Sequence, residues 1–184
     1  MGSLEGRVAL VTGSSRGIGE YMAKHFARAG AKVAIAARTV EVTDKRLPGT
    51  IHSVAEAIRS DGGEATAVQM NMRDPESITN GVAQAVEDLG SLDIIVNNAA
   101  ILVPGSLETV QDRHLDLIWQ IDLRGPLLLM KYGLPHLKEA GGGDIINISS
   151  VAGVFPGSGP YDTTPSRREG SFYGMVKSGL ERFS

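Results

Sequence analysis

The chain has 184 residues, 42% of them hydrophobic, and its 18 Lys and Arg against 21 Asp and Glu give a formal net charge of −3. This is ordinary for one globular domain with a sizeable core, and the basic residues are scattered, so no nucleic-acid partner is expected. The absence of cysteine excludes disulfides, thiolate catalysis and zinc–thiolate sites, and the four histidines lack ligand spacing, so no metal site is expected.

No apolar run approaches the ~20 residues that span a bilayer. The opening MGSLEGRVAL carries neither a basic leader nor a long apolar core, so the expectation is a cytoplasmic chain with no membrane partner.

The first predicted element is the strand in RVALVTG, followed at once by the glycine-rich stretch TGSSRGIG, Thr12 to Gly19, which opens a helix over about 17 to 29. Glycines 13, 17 and 19 would let the backbone turn tightly and approach a pyrophosphate at the helix N-terminus. Such loops also arise as plain strand-to-helix turns; the position after the first strand of an α/β pattern favours dinucleotide binding.

Further strands are read in AKVAIAAR, EATAVQM, LDIIVNN and GDIINISS, all as buried strands because both faces are apolar. Between them lie helical segments at about 50 to 61, 75 to 88 and 107 to 139. The second of these opens on Asp74-Pro75-Glu76, an N-cap followed by proline, and the third stops at Gly141 to Gly143. The alternation predicts an α/β fold with a doubly wound parallel sheet in one domain, residues 1 to 184. Five strands are recognisable where two βαβαβ halves would need six. Val176, Leu180 and Phe183 keep helical spacing up to Ser184 without a C-cap glycine, so the chain is expected to be truncated within that last helix.

TGxxxGxG, NNAA at Asn97 to Ala100, Ser150 after the fifth strand and Tyr173-x-x-x-Lys177 occur in that order at strand ends. Together they resemble the short-chain dehydrogenase/reductase family. The resemblance implies a Rossmann fold with strand order 3-2-1-4-5, a nicotinamide cofactor, and hydride transfer between a small alcohol and its carbonyl. It also implies a homodimer or homotetramer. The long TVEVTDKRLPGTIH loop is similar to the hydroxysteroid-dehydrogenase-like branch.

The choice between Tyr161 and Tyr173 has a physical basis. A phenol with pKa near 10 is a poor acid or base at neutral pH. A lysine ammonium nearby can lower it by ~1 to 3 units. Tyr173 has Lys177 at i+4 on one helix face, whereas Tyr161 has Pro165 there, so Tyr173 is the expected acid/base and Tyr161 a loop residue. By resemblance, Lys177 also holds the nicotinamide ribose and Ser150 hydrogen-bonds the substrate oxygen, leaving Ser149 as a strand-end residue near the cofactor.

The cofactor-binding residues implied are Gly13, Ser15, Arg16, Gly17, Ile18 and Gly19 of the loop. Arg38, Asn71, Met72 and Asn98 follow along the chain, with Tyr173 and Lys177 at the nicotinamide end. An acidic residue at the end of the second strand would bind the adenosine ribose and repel a 2′-phosphate; here Ala37-Arg38 stands, and Arg16 lies in the loop, favouring NADP(H) over NAD(H).

Three departures from the family pattern stand out. Asp122 occupies the place of an asparagine that supports a proton path to the lysine, and a carboxylate pairing with Lys177 would weaken its pull on Tyr173. Asn71 replaces an adenine-binding aspartate, though its amide oxygen can still accept a hydrogen bond. The interval from Ser150 to Tyr173 carries an extra segment, roughly YDTTPSRREG, and Gly157 to Ser171 is expected to be mobile, either as a lid with Arg167 and Arg168 reaching an anionic substrate or, equally, as a solvated surface loop with no substrate role. Leu102, Val103, Val154 and Phe155 are expected to wall the substrate pocket, the alternative for each being a place in the core. The alternative to an enzyme is a catalytically weak NADPH-responsive interaction module.

Overall fold

In a computed structural model that describes residues 2–103, 108–154 and 171–184, five parallel strands form one sheet. They are β1 (Val8–Thr12), β2 (Lys32–Ala37), β3 (Ala65–Gln69), β4 (Ile94–Asn97) and β5 (Asp144–Asn147), in the expected order β3-β2-β1-β4-β5. Ala9 stands in register between Val33 and Ile94, which makes β1 the middle strand.

Alternate residues of β1 enter two different cores, as the period of a strand requires. Val8 and Leu10 pack with Val68, Ile78, Val82, Ile95 and Leu129, under helices α3 (Pro75–Leu89) and α5 (Gly125–Glu139). Ala9 and Val11 pack with Ile35, Ile51, Val54 and Ile58, under α1 (Gly17–Arg28) and α2 (Ile51–Ser60). This double cover leaves β1 buried throughout.

Helix boundaries follow local chemistry. At α2, Thr50 and Ser53 form a reciprocal capping box, with each hydroxyl accepting the other's N–H. At α3, Asp74 accepts from the Glu76 N–H at 3.0 Å, Pro75 begins the helix, and Gly90 ends it at φ +92°.

The segment read as one helix over 107 to 139 is three elements in its described part: α4 (Asp112–Trp119), a π-turn (Gln120–Arg124) and α5. Pro126 supplies the reason. It has no N–H to give the carbonyl four residues back, that of Asp122, and the Gly125 N–H reaches instead to the Gln120 carbonyl. The extra residue turns Asp122 inward, where it is fully buried.

The buried-strand expectation fails at the sheet's edge. In β5, Ile145 and Ile146 are 37% and 38% exposed, because among the described residues the strand pairs on one side only. After it come a short helix α6 (Val151–Val154) and α7 (Ser171–Arg182), which carries Tyr173 and Lys177. Val176 and Leu180 of α7 are buried as expected, but Phe183 lies beyond the helix and is exposed.

Candidate active site

The glycine loop is held against the end of β4 by Thr12. Its Oγ1 donates to the Val96 carbonyl at 3.0 Å and accepts from the N–H groups of Asn98 and Ala99 at 3.0 and 3.1 Å. The Asn98 amide returns to the Thr12 and Gly13 carbonyls at 2.8 and 3.3 Å. Side chains cannot fit in this wedge: a Cβ on Gly13 would lie 2.8 Å from the Ala99 Cα, and one on Gly19 would lie 2.5 Å from the Gly13 carbonyl oxygen.

Above the wedge is a cavity of about 250 Å³. It brings together seven of the expected cofactor residues: Gly13, Ser15, Arg16, Arg38, Asn71, Met72 and Asn98. Gly17, Ile18 and Gly19 lie beside it in the first turn of α1, with Ile18 exposed. Arg16 stands at the N-cap of α1, on the cavity wall, and makes no side-chain cap bond, so no side chain caps the first N–H groups of the helix. This glycine cradle, with its open helix N-terminus, fits the pyrophosphate of a dinucleotide.

Arg16 is tied down on the cavity wall. Its Nη2 donates to Thr39 Oγ1 at 3.2 Å and to the Gly49 carbonyl at 3.1 Å, while its buried Nε has no partner. The loop between β2 and α2 thus folds back onto the glycine loop. Gly49, at φ +103°, has no room for a Cβ beside the Ser15 carbonyl. Thr39 and Gly49 were not legible as site residues, since nothing local in the sequence marks this tie. Arg38 borders the cavity and also a second hollow of about 220 Å³ with Gln69, Asn71 and Ser77. Asn71 Oδ1 already accepts the Arg73 N–H at 3.2 Å, which leaves one lone pair for a ligand.

The cavity's other end reaches Ile101 and Ile121, next to the π-turn. There α7 docks through an apolar cluster of Val103, Ile118 and Val176, with Ile101, Leu123 and Tyr173 around it. Val103 is therefore core, whereas Leu102 and Val154 are exposed. α6 lies close on α7 because two glycines face the contact. A Cβ on Gly153 would stand 3.0 Å from the Lys177 Cβ, and one on Gly174 would stand 2.5 Å from the Ala152 carbonyl oxygen. This contact places Ser150 beside Tyr173. The Ser150 hydroxyl also accepts the Ala152 N–H at 3.2 Å.

Lys177 is only 1% exposed, its Nζ donating to the Ile148 carbonyl at 2.8 Å and lying 5.5 Å from the centre of the Tyr173 ring. Burial depresses its pKa, against the opposing effect of Asp122. Asp122 is held by the Ile101 N–H at 2.9 Å, leaving Oδ2 buried and unpartnered. Burial raises its pKa to about 6, opposed by that hydrogen bond and by Lys177.

Two sequence expectations change here. Lys177 does not bring the Tyr173 phenol below its ordinary value. Burial raises it first, the Asp122 charge raises it further, and the Ser150 hydroxyl opposes them. Nor does Asp122 close an ion pair with Lys177; the ammonium is committed to the Ile148 carbonyl, and the two charges act on each other through the intervening protein. Ser149 turns to the Glu181 side chain of α7 rather than toward the cavity. Tyr161, Phe155, Arg167, Arg168 and most of the expected lid lie outside the described residues.

A model of the short chain dehydrogenase family matches residues 7–164. The chain belongs to this family. It is 40% identical over 156 residues to hydroxysteroid dehydrogenase-like protein 2 of Bos taurus, in line with the resemblance of the long loop, covering 84% of this chain and 37% of that protein. An uncharacterised oxidoreductase of Thermotoga maritima is 39% identical over 153 residues, 83% of this chain and 57% of the other. Among solved structures, a metagenomic short-chain oxidoreductase in complex with NADP superposes with a TM-score of 0.82 at 32% identity, over 98% of this chain and 74% of that one. A dehydrogenase/reductase from Sinorhizobium meliloti gives 0.79 at 31%, over 99% and 65%. The chain thus spans well under half of the bovine relative's length and about two thirds to three quarters of these structures.

No helix among the described residues is long and apolar enough to cross a membrane, and no group of three or more potential metal-ligating side chains occurs among them.

Proposed function

We propose that residues 1–184 are the cofactor-binding and proton-transfer unit of an NADP(H)-dependent oxidoreductase that interconverts a small carbonyl compound and its alcohol. The observation that carries this reading is that Ser150, just after β5, meets Tyr173 of α7 one helical turn from the buried Lys177, with Tyr173 packed on the same apolar cluster as Ile101 of the cavity wall.

A bound nicotinamide would supply the hydride. In reduction, Tyr173 Oη would give its proton to the carbonyl oxygen as the carbonyl carbon takes up that hydride, forming the alcohol, and solvent would then reprotonate the tyrosinate. Ser150 would hydrogen-bond the same oxygen as negative charge develops, and Lys177 would hold the nicotinamide ribose and steady the tyrosinate. Gly13, Ser15 and the first turn of α1, from Gly17 through Ile18 to Gly19, would carry the pyrophosphate. Asn71, Met72 and Asn98 would border the adenosine half.

The preference for NADP(H) over NAD(H) rests on Arg16 and Arg38, both on the cavity wall where a 2′-phosphate would sit, with no carboxylate lining it. The NADP-bound neighbour supports the same choice. The test is NADPH titration followed by assay of carbonyl-dependent NADPH oxidation against a panel of small aldehydes and ketones. A weakly catalytic NADPH-binding module is the second reading. It is favoured by the raised Tyr173 pKa, and binding without turnover would support it.

A further inference from the structure

The loop between β2 and α2 is closed at its neck. The Ile51 N–H donates to the Thr39 carbonyl at 3.0 Å, and Arg16 Nη2 spans the same neck, donating to Thr39 Oγ1 at 3.2 Å and to the Gly49 carbonyl at 3.1 Å. Arg16 and Thr39 both line the glycine-loop cavity. Gly49 permits the approach through its φ of +103°, at a place where a Cβ would collide with the Ser15 carbonyl.

Both acceptors are neutral. Arg16 forms no ion pair among the described residues; of the two acids in the loop, Asp44 is paired with Arg46 at 2.8 Å and Glu41 is exposed. The tie uses Nη2 alone, and Nη1 has no acceptor among the described residues. A guanidinium fixed by neutral groups keeps its charge for an anion, and it has less freedom left to lose when that anion binds. Arg38, on the same cavity wall, is exposed and has no such tie among the described residues.

We propose that Thr39 and Gly49 are positioning residues: by holding Nη2 they set the Arg16 guanidinium with Nη1 free for the 2′-phosphate of NADP(H), so part of the cofactor preference resides in the neck of the β2–α2 loop. The inference rests on the reading of NADP(H) as the cofactor and of Arg16 as one of its phosphate ligands. Its consequence is specific. Thr39 acts only through Arg16, so removing its hydroxyl weakens the 2′-phosphate contact and leaves the rest of the adenosine site as it was. The Gly49 carbonyl belongs to the backbone and no substitution deletes it, so Thr39 carries the test.

The experiment is calorimetric titration of the chain with adenosine 2′,5′-bisphosphate and with 5′-AMP, two probes that differ only in the 2′-phosphate. The variants are Thr39→Val, Thr39→Ser, Arg16→Ala and the double variant Arg16→Ala with Thr39→Val; Thr39→Ala replaces Thr39→Val if the latter does not fold. Thr39→Val should weaken the bisphosphate by about threefold to tenfold, the freedom regained by one long side chain, and leave 5′-AMP within about twofold. Thr39→Ser, which keeps the acceptor, should restore the parent affinity. In the Arg16→Ala background Thr39→Val should change the ratio of the two affinities no further. Equal weakening of both probes, or of neither, would overturn the proposal. So would the same selective loss with Arg16 absent, which would mean that Thr39 touches the phosphate itself. Arg16→Ala alone tests the underlying reading: an unchanged bisphosphate affinity removes Arg16 as a phosphate ligand and the proposal with it, whereas a loss in Arg16→Ala without one in Thr39→Val overturns the proposal alone.

Discussion

The Ile101 N–H donates to Asp122 Oδ1 at 2.9 Å and joins the loop after β4 to the π-turn through a carboxyl that burial would otherwise exclude. The arrangement costs stability at neutral pH. The folded pKa of Asp122 is raised from 3.8 to about 6, so the folded chain binds more protons than the unfolded one in that window, and stability falls as pH rises through it. Asp122→Asn should therefore be more stable than the parent at pH 7, by about 1 to 3 kcal/mol, the upper end being the full shift and the lower allowing for buried amide N–H groups left without an acceptor. The advantage should shrink as pH falls below 6 toward 4, and urea unfolding at several pH values checks both.

Gly17 and Gly19 should respond differently to alanine. Gly17 has φ +61° with open space around it, so Gly17→Ala should fold and lose about 1 kcal/mol from backbone strain. At Gly19 the new methyl meets the Gly13 carbonyl at 2.5 Å and the Asn98 amide at 2.6 Å. Gly19→Ala should lose about 1 to 3 kcal/mol and weaken NADPH binding at least about tenfold. Thermal melts and cofactor titration separate the two.

Arg38 should govern cofactor choice. The protein is expected to bind NADPH at least about tenfold tighter than NADH, as one charge-assisted phosphate contact allows. In Arg38→Asp the ratio should fall toward one or invert. An unchanged ratio would show that the 2′-phosphate does not sit at Arg38. Arg16→Ala is a different experiment, because Arg16 also ties Thr39 and Gly49 and its loss should loosen the β2–α2 loop.

The sheet was legible because five apolar, β-branched runs alternate with helical periods, and the glycine loop because its spacing matches a known chemical task. The π-turn was not. Pro126 breaks one backbone hydrogen bond without disturbing the apolar period on either side, so the sequence from Asp112 to Glu139 reads as continuous helix. The exposure of β5 was hidden because an edge strand's apolar residues look the same in sequence as a central strand's. Tyr173 and Lys177 were singled out by their i+4 spacing, but the direction of the tyrosine's shift was not legible, because it depends on burial and on Asp122, which only the fold brings into range. Ser149's turn toward Glu181 and Arg16's bonds to Thr39 and Gly49 are likewise tertiary contacts with no local signature.

The most direct measurement of the central claim compares Tyr173→Phe with the parent protein in carbonyl-dependent NADPH oxidation and in NADPH affinity. Removing the phenolic oxygen deletes the proton donor and little of the cofactor site, so turnover should fall by about 10² or more while the NADPH Kd stays within about threefold. Turnover in Tyr173→Phe equal to that of the parent would contradict the account.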